Sequence, residues 1–103
     1  MTIAKTIADQ LGNMALRMMG AKNLLAGSDY LQFKIGRNAK GVNLIRIILT
    51  PADLYKVEFI KVRKLQCKTV AEHDGVYADM LHGIIEDETG MYLSMGNIYH
   101  SGS

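Results

Sequence analysis

The stretch that decides the fold is VNLIRIILTPADLYKVEFIKVR, residues 42–63. In its first half, apolar residues recur at every second position: Ile45, Ile47 and Leu49. This period is typical of a strand with one face on the core. The alternate positions mix apolar side chains with one arginine, as expected for a central strand whose second face is partly covered.

The second half of the stretch predicts another strand, which returns beside the first as a hairpin. Tyr55, Val57 and Phe59 share one face, and charged residues lie between them. The apolar positions then change phase at Ile60 and Val62. Either a bulge near Phe59 and Ile60 or burial of both faces at that end explains the change.

The joint Thr50-Pro51-Ala52-Asp53 has two interpretations. As a turn it closes the hairpin, with Asp53 in the turn. As a helix start it supplies an N-cap, a proline in the first turn and an acidic third position. We prefer the hairpin, because the residues that follow are rich in β-branched and aromatic side chains, which favour sheet.

An N-terminal helix is predicted for residues 2–19, with Thr2 as its N-cap and Gly20 as its end. Its apolar residues repeat at the spacing of one helical face: Ile3, Ile7, Leu11, Met14 and Met18. Gly12-Asn13 weakens the middle and favours a bend or an early end. We interpret the cluster Met14, Met18 and Met19 as core filling; an adaptable partner surface is the alternative.

The remaining segments complete the sheet and add a second helix. Residues 21–29 are predicted as a loop, Tyr30–Arg37 and Cys67–Ala71 as strands, and Val76–Thr89 as a helix capped by Asp74. The buried stripe of that helix is Tyr77, Met80, Leu81, Ile84 and Ile85. We therefore expect an α+β, two-layer fold, α-β-β-β-β-α, with an antiparallel four-stranded sheet and the N- and C-terminal helices packed on one face.

A length of 103 residues is that of one domain. We assign residues 1–95 to it, with the apolar 91–95 segment docked on the core, and expect the polar residues 96–103 to form a flexible tail. No apolar run reaches the ~20 residues of a membrane span, and no signal-peptide pattern is present. The single cysteine, Cys67, excludes an internal disulfide and a cysteine-based zinc site. We expect a soluble cytosolic protein.

The net charge of +2 hides an asymmetry along the chain. Residues 17–68 contain eleven basic and three acidic side chains, whereas residues 71–90 contain six acidic side chains and no basic one. A bipolar surface and complementary packing inside the domain both explain this distribution. For a bipolar surface, the candidate binding residues are Lys34, Arg37, Lys40, Lys56, Lys61, Asp79, Glu86 and Asp87.

The titratable and glycine-rich segments predict no catalytic chemistry. Residues 36–41 contain two glycines and cations, but their spacing differs from that of a P-loop, so a solvated turn is favoured. His82 lies between Asp79 and Glu86 at helical spacing, which favours a surface ion cluster over a metal site. Cys67 is interpreted as a small core or edge residue. We expect no enzyme, no cofactor and no metal.

Nucleic-acid binding has the most support among generic functions. Basic side chains lie on or beside adjacent predicted strands: Lys34, Lys56, Lys61, Lys64 and Lys68. Tyr30 and Tyr55 lie nearby, and such a surface can follow a phosphate backbone and stack bases. Against this, Tyr55 is assigned to the core face, and no established nucleic-acid-binding motif is present.

Several strings of the chain resemble a family of small tailed-bacteriophage proteins of unassigned activity, over about residues 21–95. The strings are Arg37–Gly41, Ile45–Leu49, Thr50–Tyr55, Val57–Phe59, Val70–His73, Gly75–Leu81 and Glu88–Leu93. The resemblance implies a phage origin and the cytoplasm of an infected host bacterium, and it implies no catalytic residue. By association with other small phage proteins, it implies a non-enzymatic protein that binds a host or phage protein, in host takeover or anti-defence. The alternative is a nucleic-acid-binding accessory protein that uses the basic segment 34–68; a homodimer is compatible with both.

Overall fold

The chain folds as two N-terminal helices, a five-stranded sheet and a C-terminal helix; the computed structural model describes residues 3–91. The elements are α1 (Ile3–Leu11), α2 (Asn13–Met18), β1 (Lys22–Ala26), β2 (Tyr30–Lys34), β3 (Leu44–Leu49), β4 (Tyr55–Arg63), β5 (Gln66–Val76), a 3₁₀ helix (Ala78–Met80) and α3 (Leu81–Thr89). Every neighbouring pair of strands is antiparallel, in the order β1-β2-β3-β4-β5. The α+β class is confirmed, but the sheet has five strands and not the predicted four. The predicted N-cap Thr2 and residues 92–103, which include the predicted tail, lie outside the described residues.

The predicted hairpin forms the centre of the sheet as β3 and β4. Ile47 lies opposite Val57, and both side chains are fully buried. The joint is a turn, in which the Thr50 N–H donates to the Leu54 carbonyl at 2.9 Å. Asp53 has a φ of 67°, outside the helical region, so the alternative of a helix start is wrong.

Burial of both faces explains the change of phase at the end of β4, because the bulge found here lies in the partner strand and leaves the alternation of β4 unchanged. The partner of Phe59 is Ala71 and the partner of Ile60 is Thr69, so a bulge is present and its extra residue, Val70, belongs to β5. Phe59 and Ile60 are also both buried, although they lie on opposite faces of the strand.

Strand β1 is one that the sequence did not predict. The sequence predicts a loop for residues 21–29, yet Lys22–Ala26 pair with β2. The register shifts between Lys22 and Leu25, Asn23 has a φ of 53°, and all five residues are exposed. A bulged strand that buries neither face has no period-2 pattern, and the sequence prediction depended on that pattern.

The N-terminal helix is divided at Gly12, as the weak middle of the sequence predicted. Gly12 has φ 86° and ψ 150°, which stops α1 and restarts the chain as α2. The restart rotates the buried face: Ala15 and Met19 enter the core, whereas Met14 is 55% exposed and Met18 is also exposed. The core-filling interpretation is therefore wrong for Met14 and Met18 and correct for Met19.

The second helix begins later than predicted. Asp74 belongs to β5 and does not cap a helix, because the strand continues until Val76 pairs with Tyr55 and fills the core. The predicted stripe is correct at its C-terminal half, where Leu81 and Ile85 are fully buried. Its first two members, Tyr77 and Met80, are exposed because they precede α3.

One core cluster joins the helices to the sheet. Its fully buried large members are Phe33, Phe59, Ile7, Leu11, Met19, Ile45, Ile47, Leu81, Ile85, Val57 and Val76. Met91 packs against this cluster, as expected for the start of the 91–95 segment. Within the described part of the chain, no helix is long and apolar enough to cross a membrane.

Candidate functional site

The β4–β5 hairpin extends beyond the other strands as a two-stranded ribbon, residues 61–70, which we call the basic arm. β3 pairs with β4 only as far as Ile60, which lies opposite Leu44. Past that point, the strand neighbour of β4 within the described residues is β5 alone. Residues 62–70 are all exposed, and Leu65 at the tip is 100% exposed. The arm is therefore held by its own pairing and offers both of its faces.

The basic arm carries positive charge without compensation. Its four cations are Lys61, Arg63, Lys64 and Lys68, and the sequence has no carboxylate between Glu58 and Glu72. Lys61 lies directly opposite Lys68, and like charges in that position destabilise a strand pair. Lys61, Arg63 and Lys68 also line one shallow recess. The arrangement weakens the arm in isolation and suits an anionic partner.

The arm is anchored at its base and closed at its tip. Asn43 connects the base to β3: its N–H donates to the Ile60 carbonyl at 3.0 Å, and its Oδ1 accepts from the Val62 N–H at 2.7 Å. At the tip, Lys64 and Leu65 form a two-residue turn, in which Lys64 has a φ of 48°. The cations of the arm therefore project from a hydrogen-bonded ribbon.

The β2–β3 loop lies beside the base of the arm and is fixed by one side chain. The Nδ2 of Asn38 donates to the Gly36 carbonyl at 3.0 Å and to the Val42 carbonyl at 2.7 Å. The Oδ1 of Asn38 accepts from the Val42 N–H at 3.1 Å. Backbone bonds complete the connection: the Gly36 N–H donates to the Met19 carbonyl at 2.8 Å, and the Gly41 N–H donates to the Asn38 carbonyl at 3.2 Å. The loop is the solvated turn that the sequence favoured.

This loop adds cations to the base of the arm. Arg37 and Lys40 are both exposed on it. A β-carbon placed on Gly41 would lie 3.4 Å from the Cε of Lys61, so the loop touches the side chain at the arm's base. Lys34 ends β2 at the same end of the sheet, because it lies opposite the first residue of β3. Four of the predicted binding cations, Lys34, Arg37, Lys40 and Lys61, are therefore brought to one end.

Lys56 stands apart from the other predicted cations. Its Nζ lies 3.7 Å from Glu58 Oε2 and 3.7 Å from Glu72 Oε2. Glu58 also receives a hydrogen bond from Arg46, whose Nη1 lies 3.1 Å from Oε1. Lys56 thus belongs to a cross-strand network, so complementary packing explains this part of the charge pattern. Within residues 3–91, no ion pair involves the four cations of the basic arm.

The predicted acidic residues lie on two consecutive elements. Asp79 lies in the 3₁₀ helix, and Glu86 and Asp87 lie near the end of α3. That end approaches the β2–β3 loop, because a β-carbon placed on Gly90 would lie 3.3 Å from the Cβ of Ala39. The end of α3 therefore lies beside a basic loop, and a separate acidic patch stays a prediction.

The histidines make structural contacts. The Nε2 of His73 lies 2.8 Å from Glu88 Oε2, and its ring meets Phe59 edge to face at 6.0 Å. The Nε2 of His82 lies 2.7 Å from the Leu11 carbonyl, to which it donates. This carbonyl ends α1 and has no partner inside that helix, so His82 joins α1 to α3. The sequence did not predict this contact for His82.

Cys67 lies exposed on the edge strand β5, opposite Val62, which is the edge position that the sequence allowed. Among the residues that the structure describes, no group of three histidine, cysteine or acidic side chains can hold a metal ion.

The two tyrosines considered for base stacking differ in access. Tyr55 is only 7% exposed and belongs to the core. Burial raises the pKa of its phenol, and the negative charge of Asp53 raises this pKa further. Tyr30 is partly exposed, but the guanidinium of Arg46 lies 5.9 Å from its ring centre. Neither tyrosine lies on the basic arm.

Comparison with known proteins assigns no family. The sequence matches no protein-family model, and it matches neither a curated protein nor a solved structure. The resemblance to small phage proteins, with the phage origin and bacterial cytoplasm that it implies, stays a prediction. The basic arm and the adjoining β2–β3 loop are therefore the features that bear on function.

Sequence reasoning identified several of the cations but missed what positions them. It did not single out Arg63 at the arm, Leu65 at its tip or Asn43 at its base. One signal was present: residues 61–70 lack the buried alternation that Tyr55 to Phe59 show, so the paired strands continue after the core has ended.

Proposed function

We propose that this protein binds nucleic acid through the basic arm and the adjoining β2–β3 loop. The observation that carries the proposal is the arm itself, a two-stranded ribbon beyond the sheet with four cations and no carboxylate. Phosphates of a nucleic acid supply the missing counter-charge, and lysine and arginine contacts to phosphate supply most of non-specific affinity. Two-stranded ribbons bind DNA in the major or in the minor groove.

The surroundings of the arm support the same proposal. Arg37 and Lys40 extend the positive surface from a loop that Asn38 holds in place. Together with the arm they make six cations at one end of the sheet. Lys56, in contrast, is neutralised by two glutamates on the sheet surface. As far as residues 3–91 show, these six cations have no carboxylate partner, and they lie where an extended polyanion has access to them.

The test is binding of a fluorescently labelled duplex of about 25 base pairs over a series of salt concentrations. Contacts to four to six phosphates predict that log Kobs falls against log salt with a slope of about −4 to −5. The double variant Lys61→Gln/Lys68→Gln should make this slope shallower by about 2 and weaken binding at every salt concentration.

Lys5→Gln is the matched control, because Lys5 lies on α1 in an ion pair with Asp9 at 3.4 Å, away from the arm. It should leave the slope unchanged. Absence of salt-dependent binding, or an equal loss in the control, would reject the proposal. The lysines would then serve only to protect exposed strand edges from pairing with other chains.

A second candidate function, binding of a host or phage protein, is favoured by the exposed edge strand β1. Leu24 is 50% exposed and Leu25 is 51% exposed. A groove beside this strand is lined by Leu16, Arg17 and Leu24. An edge strand with unpaired backbone groups can accept a strand from a partner, and the apolar side chains add affinity. Host takeover or anti-defence is the role that the phage resemblance implies for such a partner.

Affinity capture from bacterial lysate tests this candidate when the wild type is compared with Leu24→Lys/Leu25→Lys. A partner that binds the edge should be captured by the wild type and lost with the double variant. The basic-arm variant Lys61→Gln/Lys68→Gln should retain it. Identical sets of captured proteins with wild type and edge variant would reject binding at β1.

A further inference from the structure

The tip of the basic arm carries an apolar side chain in a position that folding does not explain. Leu65 is 100% exposed and contributes nothing to the core. Two-residue hairpin turns favour Asn, Asp and Gly, because these residues accept positive φ at low cost. This turn instead has Lys64 at a φ of 48°, followed by leucine. Of these two residues Lys64 alone has a positive φ, so the turn does not require an apolar side chain at position 65, and the exposed leucine points to a role outside the folded chain.

We propose that the basic arm inserts Leu65 between base steps of duplex DNA and bends the duplex, while the cations of the arm hold the flanking phosphates. The inference rests on the proposed nucleic-acid binding. It names duplex DNA as the ligand and insertion of Leu65, with bending of the duplex, as the binding mode. Apolar side chains act as wedges in proteins that bend DNA, where they partly unstack one step. The bend then brings more phosphate within reach of the protein surface.

The dimensions of the arm fit this mode. Leu65 lies three positions from Lys68, the cross-strand partner of Lys61, so at about 3.3 Å per residue the tip reaches about 10 Å past the arm's base. The grooves of B-form DNA are about 7.5 to 8.5 Å deep. Leu65 can therefore reach the base edges while Lys61 and its cross-strand partner Lys68 stay near the phosphates at the groove's rim.

The composition of the arm favours duplex DNA over other polyanions. Single-stranded nucleic acid is held mainly by stacking on aromatic side chains, and residues 61–70 contain none. Duplex RNA has a deep, narrow major groove that side chains do not read, and a shallow minor groove that is recognised mainly by shape. An anionic membrane would meet a single apolar residue at the tip, less apolar surface than stable anchoring requires.

The experiment measures DNA bending by energy transfer between dyes at the two ends of a 25-base-pair duplex with a central TA step, together with affinity and salt slope. The wild type should shorten the end-to-end distance. Leu65→Ser should abolish the shortening and weaken binding by roughly tenfold or less, with an unchanged salt slope because all phosphate contacts remain. Leu65→Met should restore the bend. Because Leu65 is fully exposed, these variants should keep the melting temperature of the wild type.

The outcomes separate this inference from the function on which it rests. Salt-dependent binding with a straight duplex, or with equal bending by wild type and Leu65→Ser, overturns the wedge and leaves nucleic-acid binding standing. Tighter binding to single strands, to duplex RNA or to anionic vesicles than to the DNA duplex overturns the assigned ligand. Absence of binding to every one of these probes overturns both proposals.

Discussion

Ile47 and Ile48 are neighbours in sequence whose side chains have opposite environments. Ile47 is fully buried between Leu31 and Val57 on the core face, whereas Ile48 is only partly buried on the other face. Ile47→Asp should unfold the domain, because an unpaired buried carboxylate costs several kcal/mol or must be protonated. Ile48→Asp, the matched control, should remain folded with a smaller loss. Urea denaturation measures both, and a cooperatively folded Ile47→Asp protein would contradict the assignment of the core face.

Tyr55 gives the domain a pH dependence in the alkaline range. Burial, and then the charge of Asp53, raise the pKa of this phenol in the folded protein above its ordinary value of about 10. The neutral phenol is therefore favoured by folding. Its contribution to stability is complete below the ordinary pKa and is lost as the pH rises through the raised pKa of the folded state.

Asp53→Asn isolates the electrostatic part of this effect. Asparagine accepts the positive φ of position 53, so the turn should be retained. Loss of the negative charge should lower the pKa of Tyr55 without returning it to the ordinary value, because burial remains. The measurement is tyrosinate absorbance against pH, taken as the difference between each protein and its Tyr55→Phe counterpart. An unchanged pKa in Asp53→Asn would show that Asp53 has no influence on Tyr55.

At the scale of the elements, the sequence predicted those parts that are both regular and half buried. β3 and β4 were predictable because apolar residues alternate with polar ones through much of residues 42–63. β1 was not, because an exposed, bulged edge strand is stabilised by pairing with β2 and not by its own pattern. The start of α3 was misplaced because Asp74-Gly75 has the composition of a helix start, whereas Gly75, at a φ of 63°, lets β5 continue past a bulge.

Alanine substitution should have opposite effects on the free energy of unfolding at two glycines, Gly12 between α1 and α2 and Gly83 within α3. Gly12 has φ 86° and ψ 150°, a conformation that alanine adopts only with strain of about 1–3 kcal/mol. Gly12→Ala should therefore lower the free energy of unfolding, although alanine is the better helix former. Gly83 lies inside α3 with open space around its α-carbon, so Gly83→Ala should raise stability by about 0.5–1 kcal/mol.

Chemical denaturation of the two variants under one condition checks this prediction. If Gly12→Ala were as stable as the wild type or more stable, residues 2–19 could form the uninterrupted helix that their apolar spacing suggests.

At the scale of the whole molecule, most of the candidate cations are gathered at one end of the strands. The basic arm and the β2–β3 loop lie at one end, whereas Asp53 marks the turn at the other. The sequence left a bipolar surface and complementary packing both open, because the pairing of the strands decides which charges lie next to each other. Lys56 lies close to two glutamates, Glu58 and Glu72. The register of β4 and β5 places Lys61 directly opposite Lys68. Which charged side chains become neighbours depends on the strand register, and the amino-acid composition does not specify that register.

Substitution of Lys61 and substitution of Lys56 should therefore change the free energy of unfolding in opposite directions. Lys61→Gln removes a like-charge contact with Lys68 and should raise the free energy of unfolding by a few tenths of a kcal/mol at low salt. Lys56→Gln removes contacts with Glu58 and Glu72 and should lower it by up to about 1 kcal/mol. Both effects should shrink at high salt, where the Debye length falls to a few Å. Urea denaturation at low and high salt measures them, and a destabilised Lys61→Gln would contradict the repulsive contact.

The same charges, together with the open edge of β1, bear on self-association. Exposed ion pairs contribute only about 0–1 kcal/mol each, so a stable dimer needs apolar contacts. Leu24 and Leu25 on β1 supply them, and the exposed Met14 and Met18 of α2 add to them. An edge strand that pairs antiparallel with its own copy forms a closed two-fold dimer, in which both edges are satisfied.

We expect sedimentation to detect a weak dimer at concentrations well above micromolar, and we expect it to persist at high salt because apolar contacts are not screened. Leu25→Lys should return the protein to a monomer, because it places two like charges across the two-fold axis. Lys61→Gln, on the opposite side of the sheet, should not. A dimer that is lost at high salt would place the contact at the charged ends of the sheet. A monomer under all conditions would reject self-association and leave the β1 edge to a different protein.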